Sequence, residues 1–199
     1  NNGETCVSAK RFVVTDKVYD AFVDAFVAKM KKITMGDPTD ENSQLGPLSS
    51  QDQFDTVKSQ VDDSVAKGAK VLCGGEAPDR TGAYYPATVL GDLAPGMPAY
   101  DDEIFGPVAS IIRAKDDEDA MRLANESRYG LGGGIFSKDE DRALKLARDH
   151  FDTGMIRINS FGAADPNMPF GGVKDSGYGR EHGGFGMKEF VNTKAIFLP

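Results

Sequence analysis

Between residues 107 and 158 the sequence alternates apolar runs of strand length with amphipathic runs of helix length, and few folds accommodate that pattern. Residues 107–113 (PVASIIR) form a near-continuous apolar run, as expected of a strand covered on both faces. Asp116 and Asp119 then open a helix carrying Ala120, Leu123 and Ala124. Residues 133–136 read as a second strand. Ser137 and Glu140 form a capping box for a second helix, with Leu144 and Ala147 facing inward. Residues 154–158 (GMIRI) give a third strand. Strand, helix, strand, helix, strand at this spacing predicts an α/β fold of β-α-β units on a parallel sheet, with right-handed crossovers.

The flanks extend this picture. Thr15 or Asp16 caps a helix reaching about Ile33, with Val18, Phe22, Ala25, Phe26 and Ile33 as its buried stripe. Gly36-Asp37-Pro38 ends it as a turn. Ser50 and Gln53 resemble a capping box, after which Phe54, Val57, Val61 and Val65 line one helical face as far as Gly68. Residues 69–73 read as a short strand turned by Gly74-Gly75. Residues 84–90 are extended, with Pro86 arguing for an edge position. Residues 162–186 are a glycine-rich loop, a short helix covers Phe185 to Phe190, and 193–198 (TKAIFL) form a last strand. No repeat or low-complexity tract interrupts the chain.

Composition narrows the function classes. With 40% hydrophobic and 27% charged residues the chain reads as a soluble globular protein. A net charge of −8 argues against nucleic acid and anionic membrane surfaces as partners. No apolar run approaches the roughly 20 residues of a membrane span. The first ten residues lack the apolar region of a signal peptide. Cys6 and Cys73 could form one disulfide, but sparse cysteine favours a reducing, cytoplasmic compartment. With His150 and His182 they show no zinc-ligand spacing, so no metal is expected.

Two glycine runs fail as phosphate loops. Gly130-Leu131-Gly132-Gly133-Gly134 follows a helix and opens a strand, the inverse of a dinucleotide fingerprint, and is expected as a tight connection needing positive φ. Gly172 to Gly177 has P-loop spacing, but Tyr178 stands where lysine is required. A Cys-His hydrolase pair finds no support, since nothing places His150 or His182 beside Cys6. Cys6 itself follows a polar, glycine-containing turn, where backbone N–H groups can stabilise a thiolate and then an oxyanion. From spacing alone the catalytic and structural readings of Cys6 stand level.

The segment Asn2-Gly3-Glu4-Thr5-Cys6 resembles the nucleophile loop of the aldehyde dehydrogenases. Further segments resemble the same family in the same order. They include Gly36-Asp37-Pro38, Leu45-Gly46-Pro47-Leu48, Pro86 to Leu90, Glu103-Ile104-Phe105-Gly106-Pro107-Val108, Asn125, and Tyr129-Gly130-Leu131. Gly154 to Asn159, Pro169 to Lys174 and Ser176 to Glu181 complete the series, which spans essentially the whole chain. The resemblance implies oxidation of a small aldehyde to its acid with NAD or NADP. Cys6 would be the nucleophile, passing through a thiohemiacetal and a thioester. Glu181 would relay protons. Glu103 would bind the nicotinamide-ribose hydroxyls and Phe105 would pack near the nicotinamide. Thr5, Val7, Ser160 and Phe161 would line the aldehyde pocket.

The look of residues 1–12 and 169–194 is nearest to succinate-semialdehyde dehydrogenases, with Ser160 and Arg157 as candidate partners for a substrate carboxylate. The resemblance further implies a catalytic domain over 1–187 and an oligomerisation arm over 188–199, serving a dimer or tetramer. In the family a cofactor-binding domain precedes the nucleophile loop and carries the general-base glutamate. This chain starts at Asn1, so that domain is expected to be absent from it and the chain alone is expected to be inactive. Glu4 departs from the glutamine usual in the family, and a carboxylate aimed at the thiol would oppose the thiolate. Competing readings are a non-catalytic stand-alone binding domain, another aliphatic aldehyde as substrate, and a cysteine-dependent esterase.

Overall fold

The computed structural model describes residues 1–162 and 164–199, which divide into two compact units, Asn1–Ala124 and Asn125–Pro199. The first unit contains β1 (Arg11–Thr15), α1 (Asp16–Met30), α2 (Gln51–Ala66), β2 (Lys70–Cys73), β3 (Thr88–Gly91), α3 (Pro98–Asp101), β4 (Val108–Ala114) and α4 (Asp117–Asn125), the last ending one residue past the boundary. Its four strands form one sheet in the order β1-β4-β3-β2. β1 and β3 both run parallel to β4, whereas β2 pairs antiparallel with β3. The expected α/β class with parallel strands is present, and one edge strand is reversed.

β4 explains the layering. Val108 and Ile112 point to one face, where they join α2 and α4 residues such as Val57, Val61 and Leu123. Ala109 and Ile111 point to the other, against Phe22 and Phe26 of α1. Ile111 is fully buried and registers opposite Phe12. Ile111→Ala removes that contact from the middle of the sheet, and unfolding by urea should show a loss of about 2–5 kcal/mol.

Several local expectations need correction. Pro86 does not mark an edge: β3 begins two residues later, leaving proline outside the ladder of a central strand. α1 turns Tyr19, Phe22, Val23, Phe26, Val27 and Met30 inward, while Val18 and Ala25 lie exposed. Thr15 makes no side-chain cap because it is still paired with Ala114 at the end of β1. Ser50 does cap α2, its Oγ accepting from the Gln53 N–H at 3.1 Å. The Gln53 side chain does not return to Ser50, and its alternative destination matters below. At α4 the cap is reciprocal, with Asp116 accepting from the Asp119 N–H and Asp119 from the Lys115 N–H.

The second unit contains β5 (Tyr129–Gly130), β6 (Gly132–Ile135), α5 (Glu140–His150), β7 (Met155–Ile158), β8 (Val173–Lys174) and a 3-10 helix at Gly186–Phe190. β6, α5 and β7 make one β-α-β unit, with Gly132 to Ile135 parallel to Met155 to Ile158. β5 pairs antiparallel with β8, a strand too short to read from sequence. Asp139, not Ser137, caps α5 by accepting from the Arg142 N–H at 2.9 Å. Ala143 and Ala147 are buried, and Leu144 faces outward. The Gly130–Gly134 run has no positive φ. Close packing requires its glycines: a Cβ on Gly130 would meet Val173, and one on Gly133 would meet the Phe151 ring, each at 2.6 Å. Residues 193–198 take no regular structure, because a strand exists only with a ladder partner and none of the described strands pairs with them.

Candidate active site

Three loops of the first unit converge around Cys6. The first, residues 1–8, is two successive turns closed by Glu4 N–H to the Asn1 carbonyl at 2.7 Å and Ser8 N–H to the Thr5 carbonyl at 3.1 Å. Cys6 occupies the second position of the second turn, with its thiol exposed, while Cys73 is buried and both are free. The Thr5 and Ser8 hydroxyls bond to each other across that turn. Val7 is half-buried. Asn2 adopts φ +55, a conformation asparagine tolerates.

Residues 46–49 hold this loop from one side. The Asn2 amide donates to the Pro47 carbonyl at 2.8 Å and its oxygen accepts from the Gly46 N–H at 3.2 Å. The Glu4 carboxylate accepts from the Ser49 N–H at 2.9 Å, so the residue that departs from the family pattern is anchored to backbone. The side-chain oxygen of a glutamine could accept the same bond.

Residues 103–107 hold it from the other side. Gly3 packs so closely on Gly106 that a Cβ would sit 2.1 Å from the Gly106 carbonyl oxygen. α2 fixes this second loop through its backbone: the Gln53 amide donates to the Phe105 carbonyl at 2.7 Å and the Gln60 amide to the Glu103 carbonyl at 3.2 Å. Ile104 is buried in the core, while Glu103 and Phe105 on either side of it remain half-exposed. Alternation thus anchors the middle residue and presents its neighbours. Lys10 bridges the two loops. Its ammonium donates to the carbonyls of Gly3 and Thr5 and lies 4.9 Å from the Phe105 ring centroid. Burial pushes its pKa down, opposed by attraction to Glu103, Cys6 and Glu4.

The first unit therefore brings together Cys6, Thr5, Val7, Glu103 and Phe105. Glu181, Ser160 and Phe161 belong to the second unit. Glu181 exchanges two backbone bonds with Phe170, leaving its side chain exposed. Phe161 and Ser160 are also exposed. Arg157 lies in β7, whose four residues are all half-buried, and its guanidinium lies near Gly162. Among the described residues no three His, Cys, Asp or Glu side chains gather into a metal-binding group, and no helix is long and apolar enough to cross a membrane.

Residues 1–196 match the family model described as the aldehyde dehydrogenase family. The chain belongs to the aldehyde dehydrogenase family. Among curated members it is 44% identical over 198 residues to succinate-semialdehyde dehydrogenase [NADP(+)] 1 of Mycobacterium ulcerans, covering 100% of this chain and 43% of that protein. It is 46% identical over 196 residues to succinate-semialdehyde dehydrogenase [NADP(+)] of Deinococcus radiodurans, covering 98% of this chain and 41% of the relative. The crystal structure of succinic semialdehyde dehydrogenase from Streptococcus pyogenes, in complex with NADP+ as the cofactor, superposes with a TM-score of 0.95 at 41% identity. That match covers 100% of this chain and 43% of the other. A betaine aldehyde dehydrogenase from Staphylococcus aureus is also similar, at 34% identity and a TM-score of 0.92, covering 97% of this chain and 40% of that one. The chain thus spans 41–43% of the length of these curated relatives.

Sequence reasoning missed Lys10, Gln53 and Gln60. Each acts through a carbonyl on a segment distant in sequence or around a turn, and no local pattern announces such a bond. Asn2 was visible as part of the motif, but its role as the link to Gly46 and Pro47 was not.

Proposed function

We propose that this chain supplies the nucleophile-bearing portion of an NADP-dependent succinate-semialdehyde dehydrogenase. The observation that carries the reading is an exposed Cys6 thiol on a doubly anchored turn, beside a loop presenting Glu103 and Phe105. The names of relatives 43–46% identical over nearly the whole chain support the substrate and the cofactor.

The residues fit a nicotinamide cofactor. Glu103 offers two carboxylate oxygens, the acceptor set a vicinal ribose diol needs, and Phe105 offers a flat apolar ring. NADP, when bound, accepts the hydride. The chain's own part is covalent. The Cys6 thiolate forms a bond to the aldehyde carbon, and the carbonyl oxygen takes up the negative charge near the Cys6 N–H. Loss of hydride from that carbon leaves a thioester on Cys6, and water then cleaves the carbon–sulfur bond to release the acid. Thr5 and Val7 line the approach to the thiol. By the family resemblance, Ser160 and Phe161 are assigned to aldehyde binding, Arg157 or Ser160 to a distal carboxylate and Glu181 to proton relay.

Residues 1–187 are assigned to the catalytic domain and 188–199 to an arm that pairs with another subunit in a cytoplasmic homo-oligomer. Support comes from Ile196, Phe197 and Leu198, all at least 79% exposed. Deleting 193–199 should lower the oligomer mass in light scattering; an unchanged mass refutes the arm. A polypeptide of these 199 residues alone should alkylate at Cys6 but not oxidise aldehydes.

The test is steady-state kinetics on the complete gene product with succinate semialdehyde, butanal and betaine aldehyde, each with NADP and NAD. The expected result is a kcat/KM for succinate semialdehyde with NADP at least about tenfold above the other pairs, the worth of one well-placed charged contact. Equal turnover of butanal, which lacks the carboxylate, would remove the substrate assignment.

A further inference from the structure

We propose that Lys10 is a positioning residue that clamps the Cys6 turn to the Phe105 loop and holds a cation in the field of the Cys6 thiol. This rests on the reading of Cys6 as the nucleophile. Three observations carry it. The Lys10 ammonium donates to the Gly3 and Thr5 carbonyls, which flank Glu4 and lead directly into Cys6. It stands over the Phe105 ring, so one side chain touches both loops of the site. It is half-buried rather than solvated, and a desolvated ammonium keeps its place only while its donors are used.

The charge has a direction as well as a place. The groups that act on Lys10 are Glu103, Cys6 and Glu4. The Glu4 carboxylate is already taken by the Ser49 N–H. The ammonium sits on the Thr5 carbonyl, one peptide before Cys6, and a cation held there attracts negative charge developing nearby. Lysine suits this position because three rotatable donors can serve two carbonyls from one point charge. The consequence for the reaction is a turn held in one geometry, with a fixed cation beside the peptide that carries the nucleophile.

The experiment measures the rate of iodoacetamide alkylation of the Cys6 peptide by mass spectrometry against pH, which keeps the buried Cys73 out of the signal. It compares the native protein with Lys10→Met, Lys10→Arg and Lys17→Met, a surface control on α1. In Lys10→Met the profile should move to higher pH and the rate at neutral pH should fall about tenfold. Lys10→Arg should restore most of the profile's position, and Lys17→Met should match the native protein. A superimposable Lys10→Met profile overturns the proposal. So does a uniform fall at every pH with no displacement, because that is the mark of a merely structural lysine. The underlying reading fails separately: if Cys6→Ala keeps aldehyde oxidation, Cys6 is not the nucleophile whatever Lys10→Met does to alkylation.

Discussion

Cys6→Ala in the complete gene product should reduce aldehyde oxidation at least about 10⁴-fold, equivalent to about 5 kcal/mol of lost transition-state stabilisation. The size follows from the proposed mechanism. Without the sulfur there is no thiohemiacetal from which hydride can leave, and no neighbouring group replaces it: Cys73 is buried on the α1 face of the sheet. The thiol is exposed and makes no core contact, so the variant should fold as well as the native protein. Binding of NADP measured by fluorescence should be preserved, because Glu103 and Phe105 are fixed by α2 and not by the thiol. Full retention of turnover would exclude covalent catalysis at Cys6.

The second large effect is expected from Gly3→Ala. Gly3 has φ +77, which costs an alanine about 1–2 kcal/mol. Its added Cβ would also lie 2.1 Å from the Gly106 carbonyl oxygen and 2.6 Å from the carbonyl carbon. Those atoms are backbone and cannot swing aside, so the loops must part, at a further cost of about 1–3 kcal/mol. Parting them breaks the Lys10 bridge and shifts Cys6 relative to Glu103. A drop in urea stability of about 2–5 kcal/mol, with activity at background, is the expected outcome. Gly96→Ala provides the comparison. Gly96 has φ +93 but nothing within 4 Å of its added Cβ, so it carries backbone strain without the clash. If the two variants lose the same stability, the close approach of Gly3 to Gly106 is not what holds the site.

How far these features were readable from sequence depends on the range of the interaction. β4 and α2 follow from apolar periodicity, because each writes its burial into its own residues: Val57 and Val61 one turn apart, Ala109 and Ile111 alternating. The phase of α1 did not follow, since the sheet selects which stripe of an evenly apolar helix turns inward. Pro86 misled because a proline two residues before a strand looks locally like one within it. The reversed pairing of β2 depends on a partner elsewhere in the fold, and residues 193–198 form no strand because no described strand pairs with them. Cys6, Glu103 and Phe105 were recognisable because their motifs are contiguous, whereas Lys10, Gln53 and Gln60 act on the backbone of other segments. Such residues show themselves only once the loops are placed.

The covalent mechanism proposed above requires that Cys6 become acylated during turnover. The most direct measurement is rapid quenching of the complete gene product in acid, under turnover with succinate semialdehyde and NADP, followed by peptide mass spectrometry. The account predicts a succinyl thioester on the Cys6 peptide that appears within one turnover, decays when substrate is exhausted, and is removed by hydroxylamine. Sustained oxidation with no acyl group on Cys6, or with the acyl group on another residue, would contradict it.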